Sequence, residues 1–552
     1  MASKPSLANY GQQKIARLRE AISLIRTGQK IARHAQPTEE QRPVVFFNAS
    51  TRLSGLSQNA AFALLASWAL RLAGAPVVHF VCRAGMSRCV LGTDPDDLSR
   101  LPPCGMCIRQ SRLNYAYADA RWFTYQHDEA LASTLADLRL DELINYHSLN
   151  TEHCLLNTNP LPLGSLVLPS IRWRLRRHTL TDDAETRALY REYMLSAWNV
   201  ACLFDALLER VTPQAVVLFN GQFFPEATVA WLARARGICT ITHEVGFRPL
   251  TGFFTTGEAT IYPMDIPADF ALSAEQNTRL DAYLEQRFQG KFTMAGIQFW
   301  PEMKGLDATF LQKAAGFKYI VPVFTNVIFD TSQPHSNVLF PTMFAWLELV
   351  LEAIKKHPAT LFVIRAHPDE ARPGKSSRES VAEWASQNRI TELPNVVFVA
   401  PDEPLSSYEL IQRSKFVMIY NSTIGLEASI LGKPVLCAGR SRFTQYPTVY
   451  FPATKEAFRQ QMEEFLAAGE VKPLPEHPLQ SRRLLYYQLY RTSLPFEDFL
   501  EATPLKGYVR LKPLYLKSLR PEASPTVYTL LDGILEQGDF LLEESPTRDE
   551  RR

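Results

Sequence analysis

Residues 215–242, AVVLFNGQFFPEATVAWLARARGICTIT, decide the fold. Ala215 to Phe219 is an unbroken apolar run of strand length, and Asn220-Gly221 breaks it. The next stretch reads as a helix through Arg236, Gly237 stops it, and Ile238 to Thr242 supplies another strand. A strand, a helix and a strand, each bordered by its own breaker, make the βαβ unit of a parallel sheet.

The rhythm repeats on both sides. Upstream, PVVFFN (43–48) reads as a buried strand entering a Ser/Gly-rich turn, followed by a helix from Ser57 to Leu72. Gly74 and Pro76 then punctuate the chain before a strand at Val77 to Val81. Residues 83–120 read as irregular and cysteine-bearing, and 127–210 as mainly helical. Downstream, a second series starts near Tyr319 (YIVPVF) and continues through a helix from Phe340 to Lys356 and a strand from Leu361 to Arg365. Val396 to Val399, Phe416 to Tyr420, a short helix and Val435 to Ala438 complete a second Rossmann-like domain.

A chain of 552 residues is too long for one ordinary core. The expected organisation is a helical lead-in over 1–40 and an N-terminal Rossmann-like domain over 41–264 with a cysteine-containing insertion. A linker over 265–315, a second Rossmann-like domain over 316–474 and a helical tail over 475–552 with an acidic end follow.

Composition excludes several classes. With 46% hydrophobic and 21% charged residues the chain is globular rather than disordered. Lys and Arg number 59 against 57 Asp and Glu, so there is no general electrostatic case for a nucleic-acid partner. The local run Arg172, Arg174, Arg176 and Arg177 reads as a solvated face. No apolar signal region opens the sequence, and the apolar stretch Ala60 to Leu70 ends at Arg71, too short to span a bilayer. The expectation is a cytoplasmic protein whose only membrane contact is peripheral, at the inner face. In that compartment the eight cysteines are not expected to form a disulfide framework.

Chemistry concentrates in KFVMIYNSTIGLEASILGKPVLCAG (415–439). The strand ends at Tyr420, and Asn421-Ser422-Thr423 opens a short helix that Gly432 closes. Backbone N–H groups and the Ser422 and Thr423 hydroxyls at a helix start suit a nucleotide phosphate. Glu427, four residues after Thr423, falls on the same helical face, where its carboxylate could accept hydrogen bonds from ribose hydroxyls. Alternatively, Asn421 and Ser422 merely cap a core helix. In LFVIRAHPDE (361–370), Arg365 and His367 follow a strand, at the end where doubly wound folds bind ligands. They could hold a phosphate or protonate a leaving one.

The RAHPDE and NSTIGLEASILGKPV elements resemble those of capsule polysaccharide biosynthesis proteins and related GT-B glycosyltransferases that use CMP-linked sugars. The resemblance covers roughly residues 316–450 and is only architectural over the N-terminal half. It implies two Rossmann-like domains facing a cleft, a nucleotide-sugar donor, a glycan or glycolipid acceptor, and donor-binding roles for His367, Ser422 and Thr423. Teichoic-acid-type CDP-alcohol phosphotransferases carry similar motifs, and a non-catalytic glycan-assembly protein could keep the fold without turnover.

Such enzymes need a base for the acceptor hydroxyl. Glu244 in THEVG (242–246), with His243 as neighbour or substitute, lies in the half where GT-B enzymes usually place the acceptor. Asp330 in TNVIFDTSQPH (325–335) competes for the role. Finally, Cys82, Cys89, Cys104 and Cys107 form C-x6-C-x14-C-x2-C, which suits a closed tetrahedral zinc site better than an iron–sulfur cluster. Four unligated thiols are the alternative. A closed site leaves no position for catalysis, so the metal would be structural. Cys154, Cys202, Cys239 and Cys437 read as core or loop residues.

Overall fold

The computed structural model describes residues 7–38, 40–49, 53–148, 160–289, 304–331, 333–372 and 376–544. The start of the lead-in, residues 290–303 of the expected linker, Cys154 and the acidic end lie outside these residues. The chain forms two compact units, Met1–Arg174 with Thr181–Thr260 and Leu489–Arg552, and Leu175–Leu180 with Ile261–Gln488.

In the first unit the strands are β1 (Val44–Phe47), β2 (Val77–Cys82), β3 (Asp119–Phe123), β4 (Ala215–Phe219), β5 (Cys239–Val245) and β6 (Thr251–Thr255). β1 pairs in parallel with both β2 and β4, with Val44 opposite Val77 and Ala215. β1 and β4 are buried at every residue, as continuous apolar runs are when helices cover both faces of a parallel sheet. The helix Gln58–Leu72 is capped by Ser57, whose hydroxyl accepts from the Ala60 N–H at 3.2 Å. It is buried almost all round. β3 begins at the end of the segment expected to be irregular and runs three residues past it. Its sequence DARWF has no apolar run because it is an edge strand with only Phe123 fully buried.

The second unit holds β7 (Tyr319–Phe324), β8 (Thr360–Arg365), β9 (Val396–Val399), β10 (Val417–Ile419) and β11 (Val435–Cys437). They are parallel in the order β11-β10-β7-β8-β9. Strand order therefore reverses on either side of β7, and the register sets Phe324 level with both Ile419 and Arg365.

Two expected boundaries shift. The described residues of the 265–315 span belong to the second unit, where Arg482 donates to the Asn277 carbonyl oxygen Oδ1 at 2.8 Å and so fixes the helix Ala274–Phe288. After Gln488 the tail returns to the first unit, where β12 (Leu494–Pro495) pairs antiparallel with β6. β13 (Leu500–Ala502) and β14 (Val509–Leu511) form a hairpin, and the helix Pro525–Leu531 buries Val527 and Leu530 in the same core as the helix Gln58–Leu72. Polar linkers and tails acquire order from partners far along the chain, which local patterning does not reveal. Cys202, read as a core or loop residue in a chain not expected to form disulfides, is disulfide-bonded. Cys82, Cys89, Cys104 and Cys107 are free thiols, and among the described residues no group of three or more His, Cys, Asp or Glu is placed to hold a metal ion. Among the described residues, no helix is long and apolar enough to cross a membrane.

Candidate functional site

Doubly wound sheets bind ligands outside the carboxyl ends of strands where strand order reverses. In the second unit that point lies between β7 and β10. The residues just beyond these strands meet there, with the Asn326 amide donating to Asn421 Oδ1 at 2.6 Å. The Asn421 amide in turn donates to Ser336 Oγ at 2.7 Å. Asn421 is thus a buried brace between the two loops.

Arg365 closes β8 next to this point, and only 5% of its surface is exposed. Its Nη2 reaches the Glu403 carbonyl at 3.4 Å, while its Nη1 is buried with no hydrogen-bond partner among the described residues. Burial lowers the guanidinium to about 10, with the Glu403 carboxylate acting the other way, so it remains a cation at neutral pH. A buried cation with an unsatisfied N–H is where an anion would be held.

His367 lies two residues on. Its Nδ1 accepts from the Asp369 N–H at 3.2 Å, which assigns the ring proton of the neutral imidazole to Nε2. Burial lowers its pKa, with Asp369 and Asp330 acting in the opposite direction and Arg365 reinforcing it. The neutral form is therefore the resting one. It offers an N–H donor rather than a charged acid. Asp330 is exposed on the loop after β7 and belongs with His367 in this unit.

Thr423 does not cap the helix Ile424–Ile430 through its side chain. Its Oγ1 accepts from Arg442 Nη2 at 2.9 Å, so the hydroxyl hydrogen points elsewhere. Ser422 beside it is half-buried. Glu427 shares the helical face as expected, but its carboxylate is engaged inside the unit. Oε1 accepts from Arg287 Nε and Oε2 from the Tyr408 hydroxyl, each at 2.6 Å. This corrects the ribose-binding reading, because helical spacing places a side chain on a face without saying what packs against that face. Arg287 lies 140 residues away in sequence.

Glu427→Gln is expected to leave Arg287 buried without its counter-charge. Removing one partner of a buried pair costs about 3–5 kcal/mol. Thermal denaturation should show a clear loss of stability, with nucleotide affinity of the surviving folded fraction unchanged. An unchanged midpoint would mean the pair carries no weight.

The first unit has its own reversal point, between β1 and β4. Glu244 is the penultimate residue of β5, on that side of the sheet, and three donors converge on its carboxylate: Asn59 Nδ2 at 3.1 Å, Asn220 Nδ2 at 3.2 Å and the Val245 N–H at 2.9 Å. The turn beyond is held by Gly246, whose N–H donates to the Thr251 carbonyl at 2.7 Å. A Cβ there would press on the Thr251 and Ser493 hydroxyls. His243 points the other way. It is fully buried, its Nε2 lies 3.0 Å from Asn48 Oδ1, and it stacks on Phe254. Burial pushes its imidazole down to about 3. It is a core residue, which removes it as a substitute base.

Sequence reading missed Arg442, Asn326, Asn59 and Asn220 as parts of these sites. Of these only Asn220, which directly follows the apolar run Ala215 to Phe219, and Asn326, two residues after Phe324, carried a signal like that of Asn421.

Two Rossmann-like units, the first on a mainly parallel and the second on a wholly parallel sheet, with polar residues gathered at each reversal point define a GT-B-like α/β protein. Residues 306–448 match the family model described as capsule polysaccharide biosynthesis protein, which bears out the resemblance read from RAHPDE and NSTIGLEASILGKPV. Protein FixF of Sinorhizobium fredii is 26% identical over 256 residues, 44% of this chain and 54% of FixF. The chain thus spans about half the length of that relative. Similar solved structures include the β-Kdo 2,4 transferase of Thermosulfurimonas dismutans KpsC, at 13% identity and a TM-score of 0.33 over 56% of this chain and 87% of that one. The β-Kdo 2,7 transferase of the same KpsC gives 15% and 0.31 over 56% and 85%. Scores of this size carry no weight for residue roles.

Proposed function

We propose that this protein is a glycosyltransferase that moves a sugar from a nucleotide-sugar donor, with a CMP-linked sugar favoured, to a growing surface polysaccharide or glycolipid. The observation that carries the reading is the buried, unsatisfied Nη1 of Arg365 at the reversal point of a segment matching a capsule polysaccharide biosynthesis family. A donor phosphate satisfies that group, and the His367 Nε2–H and the Ser422 and Thr423 hydroxyls add neutral donors beside it. Together they stabilise the leaving phosphate as the bond from the anomeric carbon to the phosphate oxygen breaks, without calling on a metal ion. The acceptor oxygen forms the new bond to that carbon, and Glu244 takes its proton.

Thermal-shift measurements with CMP, CDP, UMP and UDP test the donor half. A ligand at a hundred times its Kd stabilises the folded state by about 2.7 kcal/mol. A cytidine nucleotide should raise the midpoint most. No shift with any of the four would defeat the reading. Product analysis then separates the neighbouring chemistry: transfer of a polyol phosphate from CDP-glycerol would replace sugar transfer with a teichoic-acid-type reaction, and binding without turnover would indicate an assembly protein.

A further inference from the structure

Three neighbouring strands of the second unit are each entered through a lysine. β7 starts at Tyr319, directly after Lys318, while Lys415 and Lys433 stand two residues ahead of Val417 in β10 and Val435 in β11. The strands lie side by side as β11-β10-β7, Val417 pairs with Val435, and the Lys415 N–H donates to the Ile320 carbonyl at 2.9 Å. The lysines are therefore level with one another across the amino ends of adjacent strands, which run about 4.8 Å apart.

They border a cavity of about 480 Å³. Lys318, Arg413, Lys415, Lys433 and Lys472 line it against one carboxylate, Glu470, which lies 3.6 Å from Lys472. Among the described residues the other four cations have no ion-pair partner. Two ammonium groups share one aromatic ring, with Lys415 Nζ at 4.0 Å and Lys318 Nζ at 5.1 Å from the Tyr319 centroid. Backbone carbonyls aim the half-buried pair: Lys415 Nζ donates to Leu466 at 2.9 Å and Lys433 Nζ to Ser414 at 3.3 Å. An ammonium carries three N–H donors, so each keeps donors for a ligand. Burial and then the Lys318 charge lower the Lys415 ammonium, and burial lowers that of Lys433. Like charges crowded in a partly desolvated cavity repel, and a bound anion relieves that cost.

We infer that this cavity is a second anion site of the protein, built for a ligand that carries phosphate groups. Lysine offers a compact point charge with rotatable donors, which suits the several oxygens of a phosphate, whereas planar carboxylates are better matched by guanidinium forks. Four of the five cations here are lysines. Arg365 closes β8 at the opposite end of the sheet, six strand residues or about 20 Å away, so a ligand in the cavity is distinct from one held by Arg365.

Titration calorimetry of the full chain with inorganic tripolyphosphate should show binding that weakens as salt is raised. Lys318→Gln with Lys433→Gln should weaken it by about tenfold or more, because two charge-assisted contacts are lost. Lys304→Gln with Lys355→Gln, an equal change of charge outside the cavity, should leave it unchanged. Without ligand, the thermal midpoint of the Lys318→Gln, Lys433→Gln chain should hold or rise, since repulsion is relieved, which separates lost binding from lost folding. Sedimentation with vesicles of equimolar phosphatidylcholine and phosphatidylglycerol identifies the source of the phosphate. Release from the vesicles by tripolyphosphate assigns it to a lipid headgroup, and tripolyphosphate binding by protein that ignores the vesicles assigns it to a soluble compound. Tripolyphosphate that does not bind, or that binds the doubly substituted chain as tightly as the wild type, would overturn the site.

Discussion

Glu244→Gln is expected to lower kcat for sugar transfer by about 10²- to 10⁴-fold, the usual range for losing a positioned general base. The substitution preserves size and removes the ability to accept a proton. Asn59, Asn220 and the Val245 N–H hold the native carboxylate at the carboxyl end of the first sheet, so the side chain needs no rearrangement to meet an acceptor. Donor affinity should change little, because the donor residues sit in the other unit. Steady-state kinetics with varied donor and acceptor separate the two effects. Asp330→Asn is the companion variant. Should Glu244→Gln retain the wild-type rate while Asp330→Asn loses it, the base belongs beside His367 on the loop after β7.

His367→Ala is expected to slow transfer about a hundredfold. Losing one donor to a developing negative charge typically costs on the order of 3 kcal/mol in the transition state. Burial keeps this imidazole neutral, and its Nδ1 is tied to the Asp369 N–H, so the contribution is a fixed Nε2–H rather than a transferred proton. The loss should therefore appear in kcat without a new acidic limb in the pH profile between about pH 6 and 8, the window in which an unperturbed histidine would titrate. Ser422→Ala with Thr423→Ala should act mainly on donor affinity, because hydroxyl contacts to phosphate exist in both the ground and transition states. If His367→Ala turns over nucleotide sugars at the wild-type rate, the reversal point in the second unit is not the donor site.

The contrast between Thr423 and Glu427 shows how far sequence reading reaches. Both sit in one motif and share a helical face, and the sequence offered a ligand role for each. The structure has the Thr423 hydroxyl accept from Arg442 and closes Glu427 into a buried cluster with Arg287 and Tyr408. Likewise His243 and Glu244 are adjacent and were both candidates for the base. Alternation along β5 sends one into the core and leaves the other among amide donors.

What the sequence by itself determined was the α/β class, most of its strands and the two-part organisation. Apolar runs, their breakers and helical spacing act over a few residues, so a linear reading captures them. Only the tertiary structure decided where strand order reverses, that β3 is an edge strand, that the tail returns to pair with β6, and which polar side chains are held by partners. Each of those depends on contacts between residues tens to hundreds of positions apart, and a side chain's chemistry depends on what the folded chain packs against it.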